Sequence, residues 1–481
     1  MPVILWTDAL IWLLVAALAG YAWYVRSRDH LAVPWRRVGS SASGMAALVV
    51  LATFILAGLL DSLHFRPQME FGGGQNKQAI YSNQIVSVLD VLTASLRSRP
   101  EKTYSAPLAI RAYAKELVEL PGGKQMREFP RLRYGGTHLK DEADHVRDVC
   151  VTVLRGFALS VIAWCALSFL VVLLIARRGG ESMRAASRSI WRGETRIPWR
   201  AMLLAAAGLL AMAFMAAALS GGYHVLGTDK VGQDVLYMVL KSIRTGLVIG
   251  TLTTLVTLPF GVLLGIIAGY FKGWVDDVIQ YVYTTLNSIP GVLLIAAAVL
   301  MMQVVLEKHA DFFTTSEQRA DARLLVLCVI LGLTSWTGLA RLLRGETLKL
   351  RELEYIQAAR AFGVRHEHII LRHLLPNVMH IVLITVVLDF SGLVLAEAVL
   401  SYIGVGVDPS TNSFGTMINA ARMEMAREPM VWWLLAAAFA FMFMMVLSAN
   451  LFADAVRDAF DPRARVDFRP WSMRVLREGK A

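Results

Sequence analysis

The sequence predicts an all-α polytopic membrane protein, and three observations carry that prediction. Hydrophobic residues make up 56% of the 481 positions and charged residues 18%, a balance too apolar for a water-soluble domain of this length. The apolar residues fall in runs of about 20, the helical length that spans a hydrocarbon core. The arginines gather beside those runs, as the positive-inside bias requires of cytoplasmic flanks. That placement accounts for the formal net charge of +11 through anionic headgroups rather than nucleic acid. Cys150, Cys165 and Cys328 form neither a disulfide framework nor a zinc spacing.

The first apolar run, residues 5–25, has no basic residue in front and is followed by Arg26, Arg28, Arg36 and Arg37. A cleaved leader carries its positive charge first, so this order predicts a retained span with its N-terminus outside. A second span at 46–63 completes a unit over 1–64. Residues 65–150 read as a small helical domain on the outer side. Ile80, Ile85, Val88, Leu89, Leu92 and Leu96 recur there at helical spacing, a second helix covers 107–120 before Pro121-Gly122-Gly123, and a third starts near Thr137. A third span at 157–176 opens the unit 151–200. It leads into a cytoplasmic loop bearing Arg177, Arg178, Arg184, Arg188, Arg192, Arg196 and Arg200, within which 182–191 suits a helix lying on anionic membrane lipid.

Six further spans follow, at 201–219, 247–270, 278–302, 324–343, 378–400 and 432–452, for a total of about nine. Gly261, Gly265 and Gly269 lie four residues apart, a spacing that lets a neighbouring helix pack backbone to backbone. Asn287 and Pro290 interrupt their span, and freed backbone groups at membrane depth must face protein or water. Asp389 falls near mid-depth and Glu397 toward the outer face. A carboxylate at the bilayer centre costs about 2.5–3.5 kcal/mol, so each should meet a cavity or a partner.

Between the seventh and eighth spans lies a polar insert, 345–377, that includes EYIQAARAFGVRHEHIILRHLLPN from Glu354 to Asn377. Good helix formers predict a helix over 354–362, Gly363 suits the left-handed position that ends it, and a second run, 366–375, stops at Pro376. Ala358 and Ala359 leave a small-residue surface for close approach by another protein. His366 and His368 would point to different faces, and no metalloprotease spacing is present, so no metal site is expected.

This insert resembles the cytoplasmic coupling loop of ABC importer permeases of the dipeptide/oligopeptide/nickel family. Ala358, Ala359, Gly363, Leu375 and Pro376 fall on that family's pattern, while Gln357 replaces an acidic residue and His373 an apolar one. The tracts 227–234, 271–276, 396–406 and 454–462 (DAVRDAFDP) are also similar to the family, so the resemblance spans 201–462, with a basic cytoplasmic tail at 463–481. The resemblance implies a C-type permease subunit of the bacterial inner membrane, with a core of six helices plus an N-terminal three-helix extension and 65–150 in the periplasm. It implies a heterodimer with a second permease subunit, two ABC ATPase subunits or domains, and a periplasmic solute-binding protein. The chain lacks the Gly-x-x-x-x-Gly-Lys-[Ser/Thr] tract that cradles phosphates, so it is read as a transport subunit without its own ATPase site. No cofactor is expected on it, ATP and Mg belonging to the partner ATPases. Glu354, Gln357, Ala358, Ala359, Gly363, His373, Leu375 and Pro376 then form the ATPase-coupling loop. Asp389, with Glu397, lines the translocation path and attracts a cationic group such as a peptide amino terminus, and Asn287 borders that path; alternatively, Asp389 packs against the second subunit. Cargo alternatives are nickel, a metal chelate or an antimicrobial peptide, and a membrane scaffold or sensor is the rival outside transport.

Overall fold

The computed structural model describes residues 2–69, 80–119, 125–309, 311, 313 and 315–460; Pro121-Gly122-Gly123 and the tail 463–481 lie outside them. The helices are α1 (Trp6–Arg26), α2 (Asp29–Val38), α3 (Ala42–Asp61), α4 (Val88–Leu92), α5 (Ala94–Arg97), α6 (His145–Gly179), α7 (Met183–Arg192), α8 (Trp199–Ser220), α9 (Val235–Phe271), α10 (Trp274–Ser288), α11 (Gly291–Lys308), α12 (Ser316–Leu350), α13 (Glu354–Ala361), α14 (His366–Ile369), α15 (Leu375–Ile403), α16 (Phe414–Met425) and α17 (Trp433–Phe460). Among the described residues nine helices are long and apolar enough to cross a membrane. Three of them, α1, α3 and α6, precede the six of the core.

The α9–α12 pair organises the core. The two helices run for 37 and 35 residues, about 55 and 52 Å, well beyond a hydrocarbon core of about 30 Å. Gly261 lies against Leu339, Gly265 against the Ala340 carbonyl and Gly269 against Thr347. Gly332 repeats the contact from the α12 side, facing Val256. The predicted span over 278–302 is instead two helices. Pro290 lacks an N–H and biases Ile289 to an extended conformation (φ −89°, ψ 130°), which ends α10 and leaves α11 as the spanning piece.

Residues 64–144 differ from the expected helical domain. Beyond α4 and α5 they form short strands: Pro2–Val3, His64–Phe65 and Val86–Ser87 in one small sheet, Gln68–Met69 with Ile80–Tyr81, and Glu116–Glu119 with Gln125–Glu128. The predicted helix over 107–120 is absent from the described residues, and 116–119 is strand. The backbone there finds partners outside its own segment: Leu108 N–H donates to the His224 carbonyl at 2.9 Å and Ala112 N–H to Pro130 at 2.8 Å. Those bonds compete with the helical ladder, and apolar spacing alone does not reveal them. The helix starting near Thr137 is also later than expected, with a single 3₁₀ turn at Glu142–Asp144 leading into α6.

The 64–144 segment and the start of α1 are fastened to one end of the core, the domain end. Arg244 on α9 donates to Asp8 Oδ1 at 2.5 Å and lies 3.6 Å from Asp321 on α12. Asp8 Oδ2 meets His64 Nδ1 at 2.7 Å, and the Thr7 hydroxyl bonds to Asp321. One turn away, Lys241 pairs with Asp61 at 2.5 Å and Asp90 at 3.2 Å. All of these carboxylates are buried, and buried charges persist only when paired in this way. At the opposite end, α2 closes on α17: Val38 packs with Val456 and Ala459, and Trp35 meets Phe460 edge-on at 5.5 Å.

The loop between α8 and α9 joins core to extension. Asp234 caps α9 by accepting from Leu236 N–H, and its other oxygen holds His224 Nδ1 at 2.8 Å. Glu101 accepts the backbone N–H groups of Arg133, Tyr134 and Gly135 and lies 3.4 Å from His224 Nε2. Gly232 (φ +77°) leaves no room for a side chain, since a Cβ would stand 1.8 Å from the Glu101 carbonyl oxygen. Burial pulls the His224 pKa down, but hydrogen bonds to Asp234 and Glu101 outweigh it and raise it from 6.5 to about 9. Burial pulls Glu101 up, yet bonds from His224 and the three amides lower it from 4.5 to about 2.

A raised histidine pKa stabilises fully below 6.5 and is lost as pH climbs toward 9; a lowered glutamate pKa stabilises above 4.5 and is lost toward pH 2. The junction is therefore held most firmly between pH 4.5 and 6.5. Thermal unfolding of the detergent-purified protein should show a Tm that falls from pH 6.5 to 9, and His224→Gln should flatten that dependence.

Candidate functional site

Opposite the domain end, α12 turns through 351–353 into a helical hairpin, so residues 345–350 of the expected insert belong to α12 itself. α13 covers Glu354–Ala361, and Gly363 follows at φ +72° with open space around it. Backbone conformation, rather than crowding, calls for glycine there. The predicted second helix does not stop at Pro376. α14 passes through a π-helical turn over Ile370–Leu374 into α15, with Pro376 in the first turn of α15. A proline there forfeits little, because the wide turn already breaks the hydrogen-bond ladder.

The hairpin is clamped to the C-terminal ends of α9 and α12. Ile356, Ile369 and Leu374 are fully buried with Tyr270, Leu339, Leu343 and Val378. Tyr270 OH and His366 Nδ1 share a hydrogen bond of 2.7 Å, Arg351 donates to the Tyr270 carbonyl at 2.6 Å, and the Arg360 guanidinium lies over the Tyr270 ring. Beside them Arg344 makes a two-pronged pair with Asp276 at 2.6 and 2.7 Å, and those bonds hold the Asp276 carboxyl below the usual carboxylate range. Side chains so fixed leave the hairpin little freedom to move apart from α9 and α12.

The structure separates the predicted loop residues by face. Glu354, Gln357 and Ala358 are exposed, whereas Ala359 turns inward against the buried cluster. At 100° per residue two consecutive alanines cannot share one face, so Ala358 alone of the pair is available to a partner. Gln357 donates to the Glu352 carbonyl at 3.1 Å and His373 accepts through its backbone from Asn377 at 2.7 Å; Leu375 is partly buried. Phe362 lies between Ala359 and Gly363 and is not itself a position of the coupling-loop pattern. It is 87% exposed at the hairpin tip, with Tyr355 at 45%. Its signal was an aromatic residue out of phase with the buried Ile356.

The membrane-depth residues also part company. Asp389 is half-buried, with no hydrogen-bond or ion-pair partner among the described residues. Leu388, Leu395 and Val399 are exposed beside it on α15. Asn287 is exposed and accepts from Thr337 Oγ1 at 3.1 Å. Glu397, by contrast, is 1% exposed and accepts from Ser401 at 2.6 Å and Ser413 at 2.9 Å. Ser413 is the N-cap of α16. Glu397 thus ties α15 to the start of α16.

Residues 261–466 match the family described as binding-protein-dependent transport system inner membrane component. The chain is 32% identical over 245 residues to the oligopeptide transport system permease protein OppC of Mycobacterium tuberculosis, covering 51% of this chain and 78% of that one. The chain belongs to this permease family. It is also 32% identical to the glutathione transport system permease protein GsiD of Pectobacterium atrosepticum, covering 50% of this chain and 73% of the relative. Against OppC of Haemophilus influenzae it is 28% identical, covering 59% and 92%. The family match takes in the hairpin, Asp389 and the broken α10–α11 segment, while the extension before α8 lies ahead of it.

The permease core depends on glycine contacts of unequal tolerance. A Cβ at Gly265 would stand 2.7 Å from the Ala340 backbone oxygen, whereas one at Gly261 meets Leu339 side-chain atoms. Gly265→Val should therefore cost about 1–3 kcal/mol or more, Gly261→Ala less, and Gly345→Ala, with open space around it, nearly nothing. Thermal unfolding of the three purified variants checks that order.

Proposed function

We propose that this chain imports peptides as one of two permease subunits in an ABC transporter driven by ATPases on separate polypeptides. The single observation that carries the coupling is the exposed tip of a hairpin otherwise locked to α9 and α12. An apolar aromatic at 87% exposure, beside Ala358, suits a groove on another protein. Two ATPase subunits or domains would bind ATP and Mg, and their closure would push the hairpin as a lever. Because Ile356, Ile369 and Leu374 share one core with α9 and α12, that push would tilt both long helices rather than bend the loop.

In this reading a solute-binding protein delivers cargo to the domain end, which faces the periplasm, and the C-terminus is cytoplasmic. A second permease subunit covers the exposed face of α15 and the exposed α10–α11 segment, enclosing the path between them. Asp389, without a partner among the described residues, attracts the peptide amino terminus there. Peptide cargo is supported by the oligopeptide and glutathione systems to which the relatives belong. Those names favour peptides over nickel or a metal chelate, and family membership sets aside the scaffold or sensor alternative.

Ala358→Glu and Phe362→Asp should each abolish ATPase co-purification and ATP-dependent peptide uptake while leaving Tm unchanged, since both positions are exposed. Retained uptake with both changes would remove the hairpin from the coupling mechanism. Asp389→Asn should lower uptake of peptides with a free amino terminus about tenfold or more, but leave N-acetylated peptides unaffected. Equal uptake of both by wild type and variant would take Asp389 off the path.

A further inference from the structure

The arginine-rich connection between α6 and α8 takes no part in the coupling or transport reading. Its helix, α7, is nevertheless firmly seated. Ser182 caps its start, Gly193 ends it in the left-handed conformation, and Ala186 and Ile190 are fully buried. Ile190 packs with Val171 and Leu203, the Trp164 indole donates to the Leu203 carbonyl at 2.8 Å, and Trp164 meets Trp191 edge-on at 6.2 Å. These contacts fix which side of α7 faces α6.

On that side lies an open cavity of about 550 Å³. Ser168, Phe169 and Val172 of α6 form one wall, and Arg184, Arg188 and Trp191 of α7 form the other. Phe169 is 59% exposed and Trp191 42%, so a large apolar surface stands open beside two cations. Arg184 and Arg188 are one turn apart, exposed, and without a hydrogen-bond or ion-pair partner among the described residues. The Ser168 hydroxyl is buried in the wall and has no hydrogen-bond partner either, although a helical serine ordinarily bonds a carbonyl one turn back.

The position fits the membrane boundary. Trp164 is level with Leu203, one turn inside the start of α8 at Trp199, and the cavity lies one to two turns further toward the same end of α6. Seven arginines between 177 and 200 face only two glutamates, Glu181 and Glu194, so the field there attracts anions.

We propose that this cavity binds one anionic phospholipid. Its phosphate sits between Arg184 and Arg188, and an acyl chain lies over Phe169 and Val172 against Trp191. A zwitterionic lipid fills the apolar wall but presents no net charge to the arginines. Free phosphate meets the arginines but leaves the apolar wall open.

The purified protein in detergent is titrated with phosphatidylglycerol or phosphatidylcholine, and retained lipid is counted by native mass spectrometry. Wild type should retain phosphatidylglycerol preferentially. Arg184→Gln with Arg188→Gln should cut that preference about 30-fold, and the matching double lysine variant should keep most of it. Val172→Trp, which fills the cavity and leaves the charges in place, should lower retention as well. Equal retention of both lipids, an unchanged preference in the double glutamine variant, or unaltered retention in Val172→Trp would each overturn the proposal. Full displacement of phosphatidylglycerol by millimolar inorganic phosphate would overturn it too, reassigning the pair to a free anion. The readout is lipid retention, so its failure leaves the peptide-import reading untouched.

Discussion

The close approach of α9 and α12 is the constraint on which the rest of this structure depends. Lipid tails are as apolar as leucine, so spans associate through close packing and polar contacts rather than the hydrophobic effect. Gly265 against the Ala340 carbonyl and Gly332 against Val256 bring the two backbones close enough for dispersion to act along the pair. Because both helices outlast the bilayer, the same rigid pair presents one end to the extension and the other to the hairpin.

At the domain end the link is ionic. Arg244 and Lys241 project from α9 into carboxylates contributed by α1, α3, α4 and α12. Desolvating such groups is costly, and a buried pair is weak evidence for net stability. Its consequence is specificity: a shifted register of α1 or α3 would strand charge in a dry site. The 64–144 segment follows the same logic with main-chain bonds, taking its shape from the core loop that it covers. Its backbone partners include His224 and Gly222, so its conformation belongs to the assembly rather than to its own periodicity.

At the hairpin end the link is apolar and tight, and what it leaves exposed is as telling as what it buries. Phe362 stands free while Ile356 is enclosed, and Asp389 has no partner among the described residues while Glu397 accepts from Ser401 and Ser413. The open groups are an aromatic side chain at the hairpin tip and a half-buried carboxylate on α15. Both fall within the matched family region, as does the exposed α10–α11 segment.

The sequence by itself determined the number and rough extent of the spans, the glycine seam, the hairpin with its left-handed Gly363 and the family, because each rests on local signals: apolar length, period, backbone freedom or a run of adjacent residues. It also located α7, whose caps and arginine spacing are contained in the short stretch from Ser182 to Gly193. Tertiary structure alone decided that 107–120 would not be helix and that Pro376 would begin α15 rather than end the helix before it. It alone placed Glu397 inside, turned Ala359 inward and left Phe362 outside. Leu108 bonds to His224 and Glu397 to Ser413, partners distant in the chain, and period and propensity carry no information about partners at that distance.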